Sequence, residues 1–259
     1  MKPEEFRQTY GPTALVTGAS SGIGLAFAEE LAARGFDLVL TARRTDHLDA
    51  LAQRLLSSCG VRTRVIGADL SDPAAPGRLL AATAGDDIGL VVSNAGFNVK
   101  GAYETTDAAA MGRMLTVNCH APMQLAHGFL PRLKARGKGG IVFTASIEGL
   151  IGCPYSAAYS ATKALVISLG EALWGEMQGT GVDVLTLCPG ATESEATAKM
   201  EGIAHLQPAA DVVRLALENM REGPACFPHA HYLEMFERLR AMPRRDALAG
   251  MAQSMKALA

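Results

Sequence analysis

Ser146, Tyr159 and Lys163 are of types and at spacings that suit proton transfer at a carbon–oxygen bond. Tyr159 and Lys163 lie four residues apart in YSAAYSATKALVISL, a stretch that reads as a helix, so both side chains stack on one face. A lysine held beside a tyrosine favours the phenolate and pulls its pKa below the ordinary value of about 10. A phenol tuned in this way can give a proton to a carbonyl oxygen, or take one from an alcohol, near neutral pH. Ser146 ends the apolar run GGIVFTAS, which reads as a buried strand delivering its last residue to a cleft. A YxxxK spacing also describes a boundary tyrosine and a solvated lysine, so the surrounding elements have to decide.

Those elements alternate. TALVT reads as a buried strand, residues 18–24 as a glycine-rich turn, residues 25–34 as a helix ending at Gly35, and FDLVLT as a second strand. Strands with almost no polar residues, separated by a helix, mark a parallel βαβ unit. The alternation continues through a helix over 46–58, a strand in VRTRVIGAD, a short helix after Pro73 and a strand in IGLVVSNAG. Residues 107–136 read as one long helix with irregular ends, carrying Pro122 and Pro131. IVFTAS, the Tyr159 helix, GVDVLTLCPG, the helix AADVVRLALENMREG and a last strand in PACFP follow. The expected fold is α/β, doubly wound, a Rossmann-like parallel sheet with helices on both faces. It occupies residues 1–228 as one catalytic domain, and 229–259 form a C-terminal helical extension of it.

TGASSGIG, residues 17–24, follows the first strand and opens the first helix. Gly18 permits a tight turn, while Gly22 and Gly24 let backbone approach a diphosphate at the helix N-terminus, where free N–H groups and the dipole favour negative charge. Ser20, Ser21 and Ile23 complete the turn and, with the glycines, are assigned to cofactor binding. A site preferring an unphosphorylated ribose carries an acid at the end of the second strand. Here that position is Ala42, followed by Arg43 and Arg44, two guanidiniums that suit a 2′-phosphate. NADP(H) is therefore expected over NAD(H).

Together these residues resemble the classical short-chain dehydrogenase/reductase family. TGASSGIG matches its cofactor motif, Asn94-Ala95-Gly96 its NAG turn, and Asn118 in TVNCHAP its family asparagine. Ser146, Tyr159 and Lys163 match the catalytic Ser and YxxxK, and Pro189-Gly190 matches the PG turn. The resemblance implies a sheet of about seven strands, Tyr159 as general acid/base, and Lys163 lowering its pKa and holding the nicotinamide ribose. It implies that Ser146 bonds the reacting oxygen and that Asn118 supports a water-linked proton path to Lys163. Asp69 and Leu70 would contact adenine, Asn94, Ala95 and Gly96 would line the adenine-ribose side, and Pro189, Gly190 and Thr192 would face the nicotinamide. Where the family often has a threonine that contacts the carboxamide, this chain has Ser194, with Thr192 the other candidate. The implied activity is NADP(H)-dependent interconversion of a carbonyl and an alcohol, in a homodimer or homotetramer. A non-catalytic NADP(H)-binding sensor or scaffold on the same fold is the alternative.

Of the remaining residues, Tyr155 either lines the cleft or packs at its boundary, and Glu148 either meets a polar substrate group or is solvated. No metal is expected, because the six histidines do not combine with carboxylates or cysteines at ligand spacing. Five cysteines without paired spacing suggest free thiols, and the start MKPEEFRQTYGP, read as a polar lead, has no apolar core of a signal peptide. A cytoplasmic location is the simplest expectation. A net charge of −2 gives no electrostatic case for nucleic acid. The variable segment 191–207 reads as a mobile lid over substrate, and the Met-rich tail as docking on the cleft or on a second subunit rather than on a membrane.

Overall fold

The apolar runs form β1 (Thr13–Thr17), β2 (Asp37–Ala42), β3 (Thr63–Gly67), β4 (Ile88–Ser93), β5 (Gly139–Thr144), β6 (Val182–Leu187) and the two-residue β7 (Ala225–Cys226). In the computed structural model, which describes residues 2–195, 197–199 and 205–256, they make one parallel sheet in the order β3-β2-β1-β4-β5-β6-β7. The direction of strand addition reverses between β1 and β4, and the carboxyl ends of those strands border the crevice where such sheets bind ligands.

The inner strands are apolar on both faces because helices cover both, whereas the edge strand β3 carries the exposed Arg64. On one side lie α1 (Pro3–Tyr10), α2 (Gly22–Ala33), α3 (Thr45–Cys59) and α8 (Ala209–Glu218), whose Phe6, Phe27, Leu31, Leu48 and Val212 pack on Ala14, Val16 and Leu40. On the other lie α4 (Ala75–Ala82), α6 (Ala121–Arg136) and α7 (Ala157–Glu176), whose Leu79, Phe129 and Val166 pack on Leu15, Val91 and Phe143. Alternate residues of one strand thus serve opposite cores, as the two-residue period of a strand dictates.

Two expectations need correction. The lead is not simply polar: α1 buries Phe6 and Tyr10 completely. The Tyr10 hydroxyl donates to Asp183 Oδ2 at 2.5 Å, anchoring the helix across the sheet edge. Burying such aromatic side chains stabilises by roughly 2–3 kcal/mol each, which outweighs the charged residues between them. The long helix is irregular in its middle, not at its ends. Between α5 (Ala108–Leu115) and α6, residues Thr116–His120 form a turn one residue wider than α-helical, closed by Ala121 N–H donating to Thr116 O. The tail forms α9 (Ala230–Ala241) and α10 (Arg244–Lys256), interrupted at Pro243. No described helix is long and apolar enough to cross a membrane.

Candidate active site

At the crevice the turns after β1 and β4 are locked together by Thr17, a residue the sequence reading did not single out. Its Oγ1 accepts the N–H groups of Asn94 (2.9 Å) and Ala95 (3.0 Å) and donates to Val92 O, and Asn94 Nδ2 donates back to Thr17 O at 3.1 Å. Gly18 has a left-handed φ of +68°, and a Cβ there would stand 2.9 Å from Ala95 Cα. A Cβ on Gly24 would overlap Gly18 O and lie 2.5 Å from Asn94 Nδ2, so only glycine fits. Ser21 occupies the N-cap of α2 without a side-chain capping bond. The first-turn N–H groups of Gly22, Ile23 and Gly24 are thus left without an intrahelical or capping partner, which fits the diphosphate of a dinucleotide. Ser194 closes on this turn, its Cβ 3.3 Å from where a Cβ on Gly22 would lie.

The two arginines after β2 diverge. Arg44 donates to Ser20 Oγ (3.2 Å) and to Glu195 Oε2 (3.0 Å), whereas Arg43 is exposed. The Ser71 N–H holds the Asp69 carboxyl below its ordinary range, with a smaller contribution from the Arg43 charge. Leu70 is buried with Ala75, Val117 and Ala121 against Ala95, so it packs beneath the NAG turn.

The proton-handling residues converge from β5, α7 and the widened turn. Asn118 is buried on that turn, its Nδ2 donating to Phe97 O (2.9 Å) and Thr162 Oγ1 (3.1 Å) and its Oδ1 accepting the Phe97 N–H (3.1 Å). Gly96 stands between Asn118 and Lys163: a Cβ there would be 3.1 Å from Asn118 Oδ1 and 3.4 Å from Lys163 Nζ. Lys163 is buried, donates from Nζ to Thr144 O at 2.8 Å, and lies 5.6 Å from the centre of the Tyr159 ring. Burial pushes its pKa down to about 8. Ser146 is buried just past β5 and accepts the Glu148 N–H at 3.2 Å.

The expected acidification of Tyr159 by Lys163 is not what this arrangement produces. Burial and then the Glu148 charge raise the phenol, and the neighbouring Ser146 hydroxyl opposes that rise. Desolvation disfavours phenolate and ammonium alike, so it moves the two groups in opposite directions from the expected pairing. Glu148 is half-buried and engaged within the protein: its carboxylate accepts from Lys100 Nζ at 2.8 Å and from Ser156 Oγ at 2.5 Å. Tyr155 is half-buried in a left-handed conformation (φ +59°), its carbonyl accepting the Gly101 N–H. Cys153 is buried and its thiol is pushed up to about 12 by burial, far from a nucleophile's range.

After β6, Pro189 O accepts the Ile147 N–H, bringing the PG turn to the Ser146 turn. Thr192 is buried with its Oγ1 donating to Gly190 O, while Ser194 Oγ is engaged with Thr197. Of the expected lid, residues 196 and 200–204 lie outside the described residues. The tail meets the cleft through Tyr232, whose ring lies on Gly190. Phe236, Leu239, Leu248 and Met251 pack with Ile147, Leu150, Ile151 and Cys153, the segment directly after Ser146. The fold also brings His205 to His229 and His231: His205 stacks on His231 at 3.9 Å between ring centres, with His229 6.1 Å from each. Among the described residues no group of three or more His, Cys, Asp or Glu side chains is placed to hold a metal ion.

A parallel doubly wound sheet with a glycine turn at its switch point and a Ser-Tyr-Lys set beside it defines a nicotinamide-dependent oxidoreductase class. The short chain dehydrogenase family model matches residues 12–202, and the chain belongs to that family. The chain is 31% identical over 253 residues to a 7β-hydroxysteroid dehydrogenase of Clostridium sardiniense, covering 96% of this chain and 97% of the relative. A structure from a study of 7β-hydroxysteroid dehydrogenase stereoselectivity superposes with a TM-score of 0.89 at 27% identity, covering 95% of this chain and 98% of that one. A short-chain dehydrogenase from Sphingobium yanoikuyae in complex with NADPH gives 0.81 at 34% identity, covering 95% and 96%. One from Burkholderia phymatum in complex with NAD gives 0.78 at 27%, covering 90% and 93%.

Proposed function

We propose that this oxidoreductase uses NADP(H) to interconvert a ketone and a secondary alcohol on a bulky apolar skeleton, with Tyr159 moving the proton. The observation that carries the reading is Lys163 Nζ 5.6 Å from the centre of the Tyr159 ring, beside the turn of Gly96, with Ser146 buried just past β5. When bound, the dinucleotide supplies or accepts the hydride. Ser146 orients the reacting oxygen, and Tyr159 gives it a proton in reduction or takes one in oxidation. Lys163, on the face of α7 that carries Tyr159, would hold the nicotinamide ribose, and its ammonium beside Gly96 would pass protons onward past Asn118.

Gly18, Ser20, Ser21, Gly22, Ile23 and Gly24 would hold the diphosphate side, with Asn94, Ala95 and Gly96 along the adenine ribose and Asp69 and Leu70 towards adenine. Pro189, Gly190 and Thr192 would face the nicotinamide. The preference for NADP(H) is supported by Arg44 anchored on Ser20 and by the lack of an acid at Ala42. The apolar skeleton is supported by the apolar segment directly after Ser146, on which Phe236, Leu239 and Met251 of the tail pack, and by the hydroxysteroid activity named for the Clostridium relative. A homodimer or homotetramer belongs to the same proposal, supported by the exposed Leu115, Met123 and Leu165 on neighbouring helices.

The test is cofactor consumption against a panel of 7-oxosteroids, 3-oxoacyl thioesters, simple ketones and aldehydes, with NADPH and NADH in parallel. The proposal expects turnover of a bulky ketone with NADPH favoured. No turnover anywhere in the panel would favour a sensor or scaffold, and equal use of NADH would remove the cofactor preference.

A further inference from the structure

Glu148 ties together three segments that bear on Tyr159. Its N–H donates to Ser146 Oγ. Its carboxylate accepts from Ser156, the N-cap of the helix that carries Tyr159. The same carboxylate pairs with Lys100, in the loop after β4, whose next residue is fastened to Tyr155 O. Lys100 Nζ lies 6.0 Å from the centre of the Tyr159 ring, close to the 5.6 Å of Lys163 Nζ. The side chains of Lys100 and Glu148 are 34% and 20% exposed, so solvent screens them less than a surface pair.

We infer that Lys100 and Glu148 are positioning residues that together set how readily Tyr159 exchanges its proton, Glu148 opposing phenolate and Lys100 offsetting Glu148. The inference rests on Tyr159 being the acid/base of the proposed reaction. The charge of Glu148 already counts among the influences that raise the phenol. The other ionisable groups around Tyr159 and Lys163 are Cys153 after β5, Cys119 on the widened turn and Cys188 after β6. Burial raises all three thiols, so they stay neutral and leave the balance to the two lysines and Glu148. While the pair is intact the Lys100 charge works against the Glu148 charge at the phenol. Removing either half exposes the other, and the two removals must act in opposite directions.

The experiment is kcat/KM for oxidation of the panel's fastest secondary alcohol with NADP+, from about pH 6 to about pH 10. It compares the unmodified enzyme with Glu148→Gln, Lys100→Met, the double variant and Lys100→Arg. In this direction Tyr159 must be ionised, so below its apparent pKa the rate climbs with pH in proportion to the ionised fraction, and a shift in that pKa displaces the whole rising limb. Glu148→Gln should move that limb down by about 0.5–1 unit, a three- to tenfold faster rate on the limb. Lys100→Met should move it up by a similar amount. The double variant and Lys100→Arg should return close to the starting profile. Shifts in the same direction from both single variants, or no shift from either whatever happens to kcat, would overturn the inference. Tyr159→Phe separates the two levels. If it abolishes turnover while the pair variants shift nothing, the role of Tyr159 stands and the inference alone fails. If it retains turnover, the reading of Tyr159 fails first.

Discussion

The Tyr232 ring of α9 lies so close on Gly190 that a Cβ at residue 190 would overlap its ring carbons. The C-terminal helices therefore rest on the turn proposed to face the nicotinamide, and Tyr232 is a residue that motif matching could not find. Gly190→Ala should lift Tyr232 and loosen α9 and α10, costing about 1–3 kcal/mol of local overpacking. Hydrogen exchange should show faster exchange in 229–256, with KM for a bulky substrate raised more than kcat is lowered. Unchanged protection there would mean that the tail does not depend on this contact.

Arg44 and Arg43 separate in the structure, and so should their effects. Arg44→Ala removes a guanidinium anchored on Ser20, and charge-assisted bonds to a phosphate contribute about 1.5–3 kcal/mol. NADPH affinity, read by fluorescence titration, should fall roughly tenfold or more, with NADH within about twofold. Arg43→Ala should act in the same direction but more weakly, because Arg43 is exposed. Equal losses for both cofactors would contradict a 2′-phosphate contact.

Lys163 gives stability a pH dependence of known sign. Burial lowers its pKa from 10.5 to about 8. Between those values the unfolded chain holds the proton and the folded chain has released it, so stability rises with pH there. The burden of the buried ammonium is present in full below about pH 8 and is relieved as pH climbs towards 10.5. In urea unfolding, the unmodified chain should gain on the order of 2 kcal/mol relative to Lys163→Met between about pH 8 and pH 10. Parallel curves would show that Lys163 is not desolvated.

What sequence made legible was what local chemistry dictates. Runs such as IGLVVS, short, β-branched and set in a strand–helix alternation, read as strands buried on both faces, and the glycines at 18 and 24 mark a turn that tolerates no Cβ. Less was legible where distant segments decide. The Phe6/Tyr10 pair declares itself only once Asp183 and Phe36 are beside it. The wide turn that presents Asn118 leaves no compositional mark. Arg43 and Arg44 are equivalent in sequence until the direction of each side chain is fixed. The acidity of Tyr159 is the sharpest case, since spacing reveals the neighbouring ammonium but not the depth at which both groups are buried.

The central claim is that Tyr159 is the proton donor and acceptor at the reacting oxygen, and Tyr159→Phe tests it directly when turnover and NADPH binding are measured on the same preparation. The account predicts a loss of at least about 100-fold in kcat with NADPH affinity within a few-fold of the unmodified protein. Retained turnover with intact cofactor binding would contradict it.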